Sequence, residues 1–183
     1  MTPRRPTSAR NVAPRADRNA RRSVGLADLH TAPGHLFRRA RQFHDALWLQ
    51  EVGDVLTPLQ FAALTALDAE PGLNQRELGE RIALDKSTLG DVVARLDRRG
   101  YICREPDPAD ARSRLIMLTS DGRAVLEAAR PSVEEIGTQM LACLDVGERG
   151  ELLRLLEKLV FSDAALDRTP KANGGNSHRS ADR

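Results

Sequence analysis

The residues best suited to chemistry in this sequence lie between positions 85 and 114, where hydroxyl and basic side chains are concentrated. Apolar residues of Asp85–Arg99 recur at i, i+3, i+4 and i+7, which predicts a helix with one buried face. Its exposed positions begin with Lys86, Ser87 and Thr88, and such groups at a helix start can reach base edges or phosphates. The pattern favours a helix that enters the major groove of DNA, but an ordinary solvated helix with a Ser/Thr cap would share it.

A second basic cluster follows at Asp110–Arg114, where Arg112 and Arg114 occupy alternate positions. Alternate residues of an extended segment point the same way, and Arg side chains can enter a narrow minor groove where negative potential is focused. Alone, the cluster is more typical of surface ion pairs, with Asp110 holding one of the arginines. Its position after a predicted helix-turn-helix favours DNA. The candidate DNA-binding residues are Lys86, Ser87, Thr88, Gly90, Asp91, Arg95, Arg98, Asp110, Arg112 and Arg114.

The elements that position these residues begin with clear helix-start signals. A first helix is expected from about 33 to 51, because its apolar residues form two adjacent stripes. Capping boxes at 57–60, 74–77 and 145–148 predict three further starts, and Pro58 occupies a first helical position. The helices expected at about 75–83 and 85–99 are joined by a three-residue link, 83–85, which is helix-turn-helix geometry.

After the helix-turn-helix, the apolar residues no longer recur with helical spacing, and this change predicts a β-hairpin. Two β-rich runs, Tyr101–Arg104 and Arg114–Leu118, flank a polar loop with two prolines, and an oversized hairpin at this place is a wing. Thr119 then caps a helix expected to reach about Cys143, with Pro131 bending it. The fold class predicted is mainly α with a small β-hairpin wing, namely a winged helix-turn-helix domain plus N- and C-terminal dimerisation helices.

Charge is unevenly distributed along the 183 residues, although the total is only +2. Residues 1–22 carry seven Arg and one Asp, whereas residues 23–166 carry 17 basic and 23 acidic groups. We expect a disordered Arg-rich arm at 1–25, one folded domain at 26–166 and a disordered tail at 167–183. Nucleic-acid contacts must then come from a local patch of the domain rather than from bulk charge.

Several function classes are disfavoured by composition. Apolar runs are too short to span a bilayer, and the N-terminus lacks the apolar core of a secretory signal. The histidines lack metal-ligand spacing, and neither a phosphate loop nor a nucleophile elbow is present, so we expect no enzyme and no cofactor. Cys103 and Cys143 lie in apolar runs and are expected to be inert core thiols in a cytoplasmic protein.

Specific motifs extend over about seventy residues, from Leu56 to Leu126. They are LTPLQ at 56–60, PGLNQREL at 71–78, DKST at 85–88, RGYI at 99–102, DPADARSR at 107–114 and LTSDGR at 118–123. This run resembles the winged helix-turn-helix of the MarR family of bacterial regulators, which often has a second basic residue where Ala111 stands. The resemblance implies a homodimer, joined through its first and last helices, on a pseudo-palindromic operator. The broad Leu face of 152–160 agrees with a dimer, although packing within one subunit would also explain it.

The segments PGHLFRR at 33–39 and DKSTLGDV at 85–92 look like a MarR subgroup that controls degradation of aromatic carboxylates such as nicotinate derivatives. This resemblance implies a small anionic aromatic effector, bound in a crevice between the dimerisation helices and the winged domain. Basic groups would pair with its carboxylate and aromatic rings would enclose it, although the same residues also fit plain core and solvated surface. The candidate ligand residues are His35, Arg38, Arg39, His44, Trp48 and Phe61.

The function predicted is a sequence-specific DNA-binding regulator, namely a homodimeric repressor released from its operator by an aromatic carboxylate. Two alternatives stay open. A thiol-based redox-sensing regulator would respond to peroxide through Cys103 or Cys143. A winged-helix adaptor without an effector would bind protein and show no salt-dependent affinity for its own promoter.

Overall fold

The computed structural model describes residues 29–110 and 112–162. Its helices and strands follow the chain in the order α1 (Pro33–Glu51), α2 (Pro58–Ala69), β1 (Leu73–Asn74), α3 (Gln75–Arg81), α4 (Lys86–Arg98), β2 (Ile102–Pro106), β3 (Arg114–Leu118), α5 (Ser120–Met140) and α6 (Val146–Val160). The mainly helical fold with a small wing is therefore confirmed. The predicted arm at 1–25 and tail at 167–183 lie outside the described residues.

The chain forms two compact units, one ending at Ala40 and the other beginning at Arg41, so that α1 contributes to both. In the described part of the first unit, the rings of His30 and His35 meet edge to face with centroids 5.9 Å apart. The second unit contains α2–α6, the sheet and the buried apolar core. It is this unit that carries the predicted helix-turn-helix and wing.

The predicted helix starts are confirmed by reciprocal hydrogen bonds. The Thr57 hydroxyl accepts the Gln60 N–H, and the Gln60 side chain accepts the Thr57 N–H at 3.0 Å, with Pro58 at the start of α2. Equivalent capping boxes open α3 at Asn74 and α6 at Asp145. Because each box satisfies amide groups that the helix itself leaves unbonded, the local sequence fixes where these helices begin.

The sheet is antiparallel with strand order β1-β3-β2. The hairpin predicted from sequence is present, with Ile102 opposite Leu118, but β2 continues two residues further than expected and ends at Pro106. The strand β1 was not predicted. Its Leu73 pairs with Ile116, which places the start of α3 against the base of the wing.

The core lies between α4 and its neighbours α2, α3 and α5. The face of α4 predicted to be buried is buried, namely Leu89, Val92, Val93 and Leu96. Further fully buried side chains come from the segment before α2 and from α2, α3, β3 and α5, namely Leu56, Leu64, Leu67, Leu78, Ile116 and Leu126. The buried indole of Trp48 donates a hydrogen bond to the Leu56 carbonyl at 2.7 Å, which fixes the end of α1 beside this core.

The prediction that both cysteines lie in the core is wrong, and α5 ends at Met140 rather than at about Cys143. Cys103 and Cys143 are exposed rather than buried in the core. Cys103 lies on the outward side of β2, a strand of which only Ile102 is buried, and Cys143 follows the end of α5 at Met140. Apolar neighbours in sequence therefore do not bury these thiols, because both lie where the chain faces outward.

Among the described residues, no helix is both long and apolar enough to cross a membrane.

Candidate DNA-binding surface and effector cleft

The first turn of α4 is organised by one carboxylate. Asp85 accepts the backbone N–H groups of Ser87 and Thr88, each at 3.0 Å. It also accepts the Ser87 hydroxyl at 2.8 Å and the Thr88 hydroxyl at 2.6 Å. The bonds from Thr88, and then those from Ser87, hold the pKa of Asp85 well below its usual range. The carboxylate is therefore ionised at neutral pH and can only accept hydrogen bonds.

The turn between α3 and α4 sets how closely these two helices approach. Ala83 has a positive φ of 53°, and Leu84 donates its N–H to the Gly79 carbonyl at 3.0 Å. A Cβ on Gly79 would lie 3.0 Å from Cδ2 of Leu89 and 3.2 Å from the Leu84 carbonyl oxygen. A small residue at 79 thus allows α4 to pack directly on α3, with the opposite side of α4 turned outward.

The candidate DNA-binding residues of α4 fall into three groups that differ in how exposed they are to solvent. The side chains of Lys86, Ser87, Asp91, Arg95 and Arg98 are exposed, opposite the buried face. Gly90 is half-buried beside the start of α3, where a Cβ would be 3.7 Å from Nε2 of Gln75. Thr88 is half-buried at the flank of the helix. The structure therefore brings most, but not all, of the predicted residues onto one accessible face.

The wing loop is held by Asp110 through the backbone. Its carboxylate accepts the Arg112 N–H at 3.0 Å, and its carbonyl accepts the Ser113 N–H at 2.8 Å. Asp110 therefore positions Arg112 through the main chain, whereas the sequence predicts an ion pair between Asp110 and an Arg side chain. Arg112 and Arg114 are exposed on this loop and on the first residue of β3.

A basic cleft of about 480 Å³ joins the wing to the start of α3. Besides Arg112 and Arg114 it is lined by Arg76 and Arg104, which sequence reasoning missed. The strand β1 explains the omission, because its pairing with β3 is what places Arg76 beside the wing. The charged lining of the cleft thus consists of four arginines and one carboxylate, that of Asp110, and its net positive charge suits a polyanion.

One ion pair connects the wing strand to the outward-facing helix. Nε of Arg104 on β2 lies 3.0 Å from Oδ2 of Asp97 on α4, and both side chains are about two-fifths exposed. The pair therefore helps to hold the wing in a set orientation relative to α4.

A second cleft, of about 580 Å³, lies among α1, the start of α2, and α4. It is lined by Arg41, His44, Asp45, Thr57, Pro58, Leu59, Gln60, Thr88, Asp91, Val92 and Arg95. Three of these residues, Thr88, Asp91 and Arg95, are also candidate DNA-binding residues. A molecule in this cleft would therefore touch the helix proposed to enter DNA.

Charge within this second cleft is mixed. Nε of Arg41 lies 3.6 Å from Oδ2 of Asp45, and Nδ1 of His44 lies 3.5 Å from Oδ1 of the same carboxylate. Arg95 and Asp91 complete the charged lining from the α4 side. Arg41 and Asp45 were not predicted as ligand residues, because only the packing of α2 and α4 opposite them shows that they line a cavity.

The predicted ligand residues are only partly brought together. His44 lines the second cleft, and its ring centroid lies 5.6 Å from that of Trp48. Trp48 is buried, and Phe61 packs edge to face on it at 5.9 Å, so these two rings belong to the core behind the cleft lining. In the first unit, α1 carries His35, which is half-buried, together with Arg38 and Arg39, which are exposed.

Apolar side chains are unusually exposed on the last helix. No residue of α6 is buried, and Leu153, Leu155 and Leu159 are each about half exposed. On α1, Leu36, Phe37 and Phe43 are exposed to a similar extent. Exposed apolar side chains gathered on two helices are typical of protein interaction surfaces.

Comparison with known proteins agrees with this arrangement. A model of the MarR family matches residues 56–113, the segment from just before α2 to the end of the wing loop. The HTH-type transcriptional repressor NicR of Pseudomonas putida is 37% identical over 137 residues, which span 74% of this chain and 87% of NicR. The chain belongs to the MarR family. It is a MarR-type transcriptional repressor whose winged helix is a DNA-binding element.

Solved MarR structures extend the likeness beyond the matched segment. PcaV from Streptomyces coelicolor, crystallised with its natural ligand, is 41% identical with a TM-score of 0.71, covering 74% of this chain and 96% of PcaV. BpsR from Bordetella bronchiseptica is 36% identical with a TM-score of 0.70, covering 72% of this chain and 95% of BpsR. Its structure concerns the regulation of DNA binding by 6-hydroxynicotinic acid. This MarR fold therefore occurs in one regulator crystallised with its natural ligand and in another whose DNA binding is regulated by 6-hydroxynicotinic acid.

Proposed function

We propose that this MarR protein is a homodimeric repressor that leaves a pseudo-palindromic operator when a small aromatic carboxylate binds in the second cleft. The observation that carries the proposal is the shared lining of that cleft. Thr88, Asp91 and Arg95 belong both to the cleft and to α4, so a bound ligand alters the helix that contacts DNA without any intermediate element. A ligand shifts the balance between DNA-bound and free protein only if it binds one state better, and direct contact with α4 supplies that difference.

The DNA-binding part of the proposal rests on the placement of basic groups. Arg98 is exposed on α4, and Arg112 and Arg114 are exposed on the wing. In a winged helix-turn-helix, α4 enters the major groove, while wing arginines reach the adjacent minor groove. Two subunits double these contacts along one face of the duplex, which offsets the modest charge of each domain.

The ligand part rests on the chemistry of the cleft lining. Arg41, His44 and Arg95 offer hydrogen-bond donors for a carboxylate, and Leu59 and Val92 offer apolar contact for a ring. A ligand carboxylate would compete with Asp45 for Arg41, whose present separation of 3.6 Å is long for a strong ion pair. The PcaV and BpsR structures, solved with a natural ligand and in connection with 6-hydroxynicotinic acid, support this ligand class.

The dimer part rests on the exposed apolar side chains. In α6, Leu155 and Leu159 lie on one stripe of the helix and remain about half exposed. Covering them with a second copy removes apolar surface from water, which is the main favourable term in subunit association. Association through α1 and α6 would also place two copies of α4 on the same duplex.

DNA binding is tested with the DNA upstream of the protein's own gene. At about 100 mM salt, wild type should bind this DNA more tightly than a scrambled duplex, and Arg112→Ala should weaken binding roughly tenfold and reduce its salt dependence. The matched control is Arg154→Ala, which removes an exposed Arg paired with Glu151 on α6. Equal retention of wild type and Arg112→Ala, with no preference for the upstream DNA, contradicts the repressor and favours the adaptor alternative.

The effector is tested by thermal shift with nicotinic, 6-hydroxynicotinic and benzoic acids. At least one should raise the melting temperature of wild type and weaken its binding to the upstream DNA. Arg41→Ala should abolish that shift while leaving DNA affinity unchanged, because Arg41 lines the cleft from α1 and not from α4. A shift that persists in Arg41→Ala would place the ligand elsewhere.

A further inference from the structure

The hydroxyl groups of Ser87 and Thr88 are both committed as donors to a single carboxylate. Ser87 Oγ lies 2.8 Å from Oδ1 of Asp85, and Thr88 Oγ1 lies 2.6 Å from Oδ2. An ionised carboxylate has no hydrogen to give, so the hydrogen in each of these bonds must come from the hydroxyl. The direction of both bonds therefore follows from the chemistry of the partners.

Because each hydroxyl hydrogen is already bonded to Asp85, the further hydrogen bonds that these hydroxyl groups can form are limited. A hydroxyl has one hydrogen to donate and two lone pairs that accept, so Ser87 and Thr88 retain only acceptor capacity. In the major groove the donors are the exocyclic amino groups of adenine and cytosine, at N6 and N4. Guanine O6 and N7, adenine N7, thymine O4 and phosphate oxygens are acceptors, which these two hydroxyls cannot bond.

The position of Asp85 also disfavours a phosphate at this helix end. Its carboxylate already takes the backbone N–H groups of Ser87 and Thr88, which would otherwise attract an anion. Its negative charge would repel a phosphate placed there. The hydroxyl groups of Ser87 and Thr88 are thus arranged for base amino groups and against the DNA backbone.

We propose that Asp85 sets the hydrogen-bond polarity of the recognition helix, so that Ser87 and Thr88 bond exocyclic amino groups of adenine or cytosine and contact no phosphate. This inference rests on the proposed function, since it requires α4 to lie in the major groove. Asp85 is then a specificity-determining positioning residue that touches no base. Ser87 is exposed beyond the cap, whereas Thr88 is half-buried at the flank and serves the second cleft as well.

The test removes single functional groups from the DNA. A duplex is selected by wild type from a randomised pool, and its bases are then replaced one at a time. Deoxynebularine and deoxyzebularine lack the amino groups of adenine and cytosine, whereas 7-deazapurines and methylphosphonates remove acceptors. Loss of one amino group should weaken wild-type binding about five- to tenfold, and Ser87→Ala or Thr88→Val should be insensitive to the same loss.

The variant Asp85→Asn should change the hydrogen-bonding role of the Thr88 hydroxyl while leaving that of the Ser87 hydroxyl unchanged, so that Ser87 serves as an internal control. The side-chain oxygen of Asn must stay with the two N–H groups and the Ser87 hydroxyl, because three donors meet at Oδ1. The amide NH₂ then faces Thr88, whose hydroxyl accepts and becomes free to donate outward. Asn caps helices as well as Asp, so α4 should persist, which circular dichroism checks.

In Asp85→Asn, Thr88 should gain coupling to a base acceptor, because its hydroxyl hydrogen is released while one lone pair still accepts. The coupling of Ser87, that is, the sensitivity to a removed DNA group that disappears when the hydroxyl is removed, should stay unchanged. Coupling of either hydroxyl in wild type to a 7-deaza or methylphosphonate substitution would overturn the inference. Absence of coupling to any amino group for both residues, or an unchanged Thr88 coupling in Asp85→Asn, would overturn it too. If wild type selects no sequence from the pool, the proposed function fails instead.

Discussion

Gly122, in the first turn of α5, lies directly against the carbonyl oxygen of Tyr101, which precedes β2. A Cβ at position 122 would overlap this carbonyl, so that no other residue fits without moving the backbone. The Tyr101 carbonyl also accepts the Thr119 N–H at 3.1 Å, and the Thr119 hydroxyl donates to the Gly100 carbonyl at 2.7 Å. This contact joins the end of α4 and the base of the wing to the long helix that follows.

Gly122→Ala should therefore destabilise the protein strongly. We expect the free energy of unfolding, measured by urea denaturation, to fall by about 2–3 kcal/mol, because the clash is with backbone and not with a side chain that can rotate. Gly137→Ala is the matched control, since it lies in the same helix with no atom within 4 Å of the added Cβ. It should stabilise by about 0.5–1 kcal/mol, and equal effects of the two changes would refute the close contact.

Asp68 should be a main anchor between α2 and α5. Its carboxylate pairs with Arg123 and with Arg130, the latter at 2.9 Å, and its side chain is only 20% exposed. Asp68→Asn should lower the free energy of unfolding by about 1–2 kcal/mol, because it leaves two arginines without their shared charge. Glu151→Gln, which breaks an exposed pair within α6, should produce no measurable change. Stability of Asp68→Asn equal to that of wild type would mean that solvent screens this cluster completely.

The exposed leucines of α6 should determine the oligomeric state. Replacing Leu155 and Leu159 by Glu puts two charges on the apolar stripe and should convert a dimer into a monomer in analytical ultracentrifugation. Binding to the upstream DNA should weaken together with dimerisation. Lys158→Glu, on the polar side of the same helix, should remain dimeric. A dimer in the double Glu variant would show that the subunits associate through another surface.

The exposed thiols should not control DNA binding. Because Cys103 lies on the outward side of β2 and Cys143 beyond α5, peroxide can reach both, so the thiol-based alternative predicts a loss of affinity on oxidation. We expect wild type and a Cys103→Ser, Cys143→Ser variant to bind the upstream DNA equally before and after peroxide treatment, as measured by fluorescence anisotropy. A peroxide effect that disappears in the double variant would instead establish redox regulation.

Local chemistry made much of the helix-turn-helix predictable. Capping boxes such as that of Thr57 and Gln60 operate within four residues, so the sequence alone indicates where the helices begin. The strand β1 has only two residues and no periodicity of its own, and it exists because Leu73 meets Ile116 in the folded chain. Pairings of that kind depend on tertiary structure.

The residues that line the second cleft could not be predicted from sequence for the same reason, because only tertiary packing creates the cleft. Arg41 and Asp45 lie on the polar side of α1 and look like solvated surface until α2 and α4 pack opposite them. Trp48 and Phe61, by contrast, were candidates for enclosing a ligand ring but contact each other within the core. A polar or aromatic stripe on a helix therefore indicates that a surface is amphipathic, but not whether its partner is a ligand, another helix or water.

The shared lining of the second cleft restricts how this regulator can diverge. Substitutions of Thr88, Asp91 or Arg95 that suit a new inducer also change the helix presented to DNA, so an altered inducer would come with an altered operator. Arg41, His44 and Leu59 have no such second duty and are the positions where inducer preference can drift alone. A biosensor built on this scaffold should therefore be diversified in α1 and α2 while α4 is left untouched.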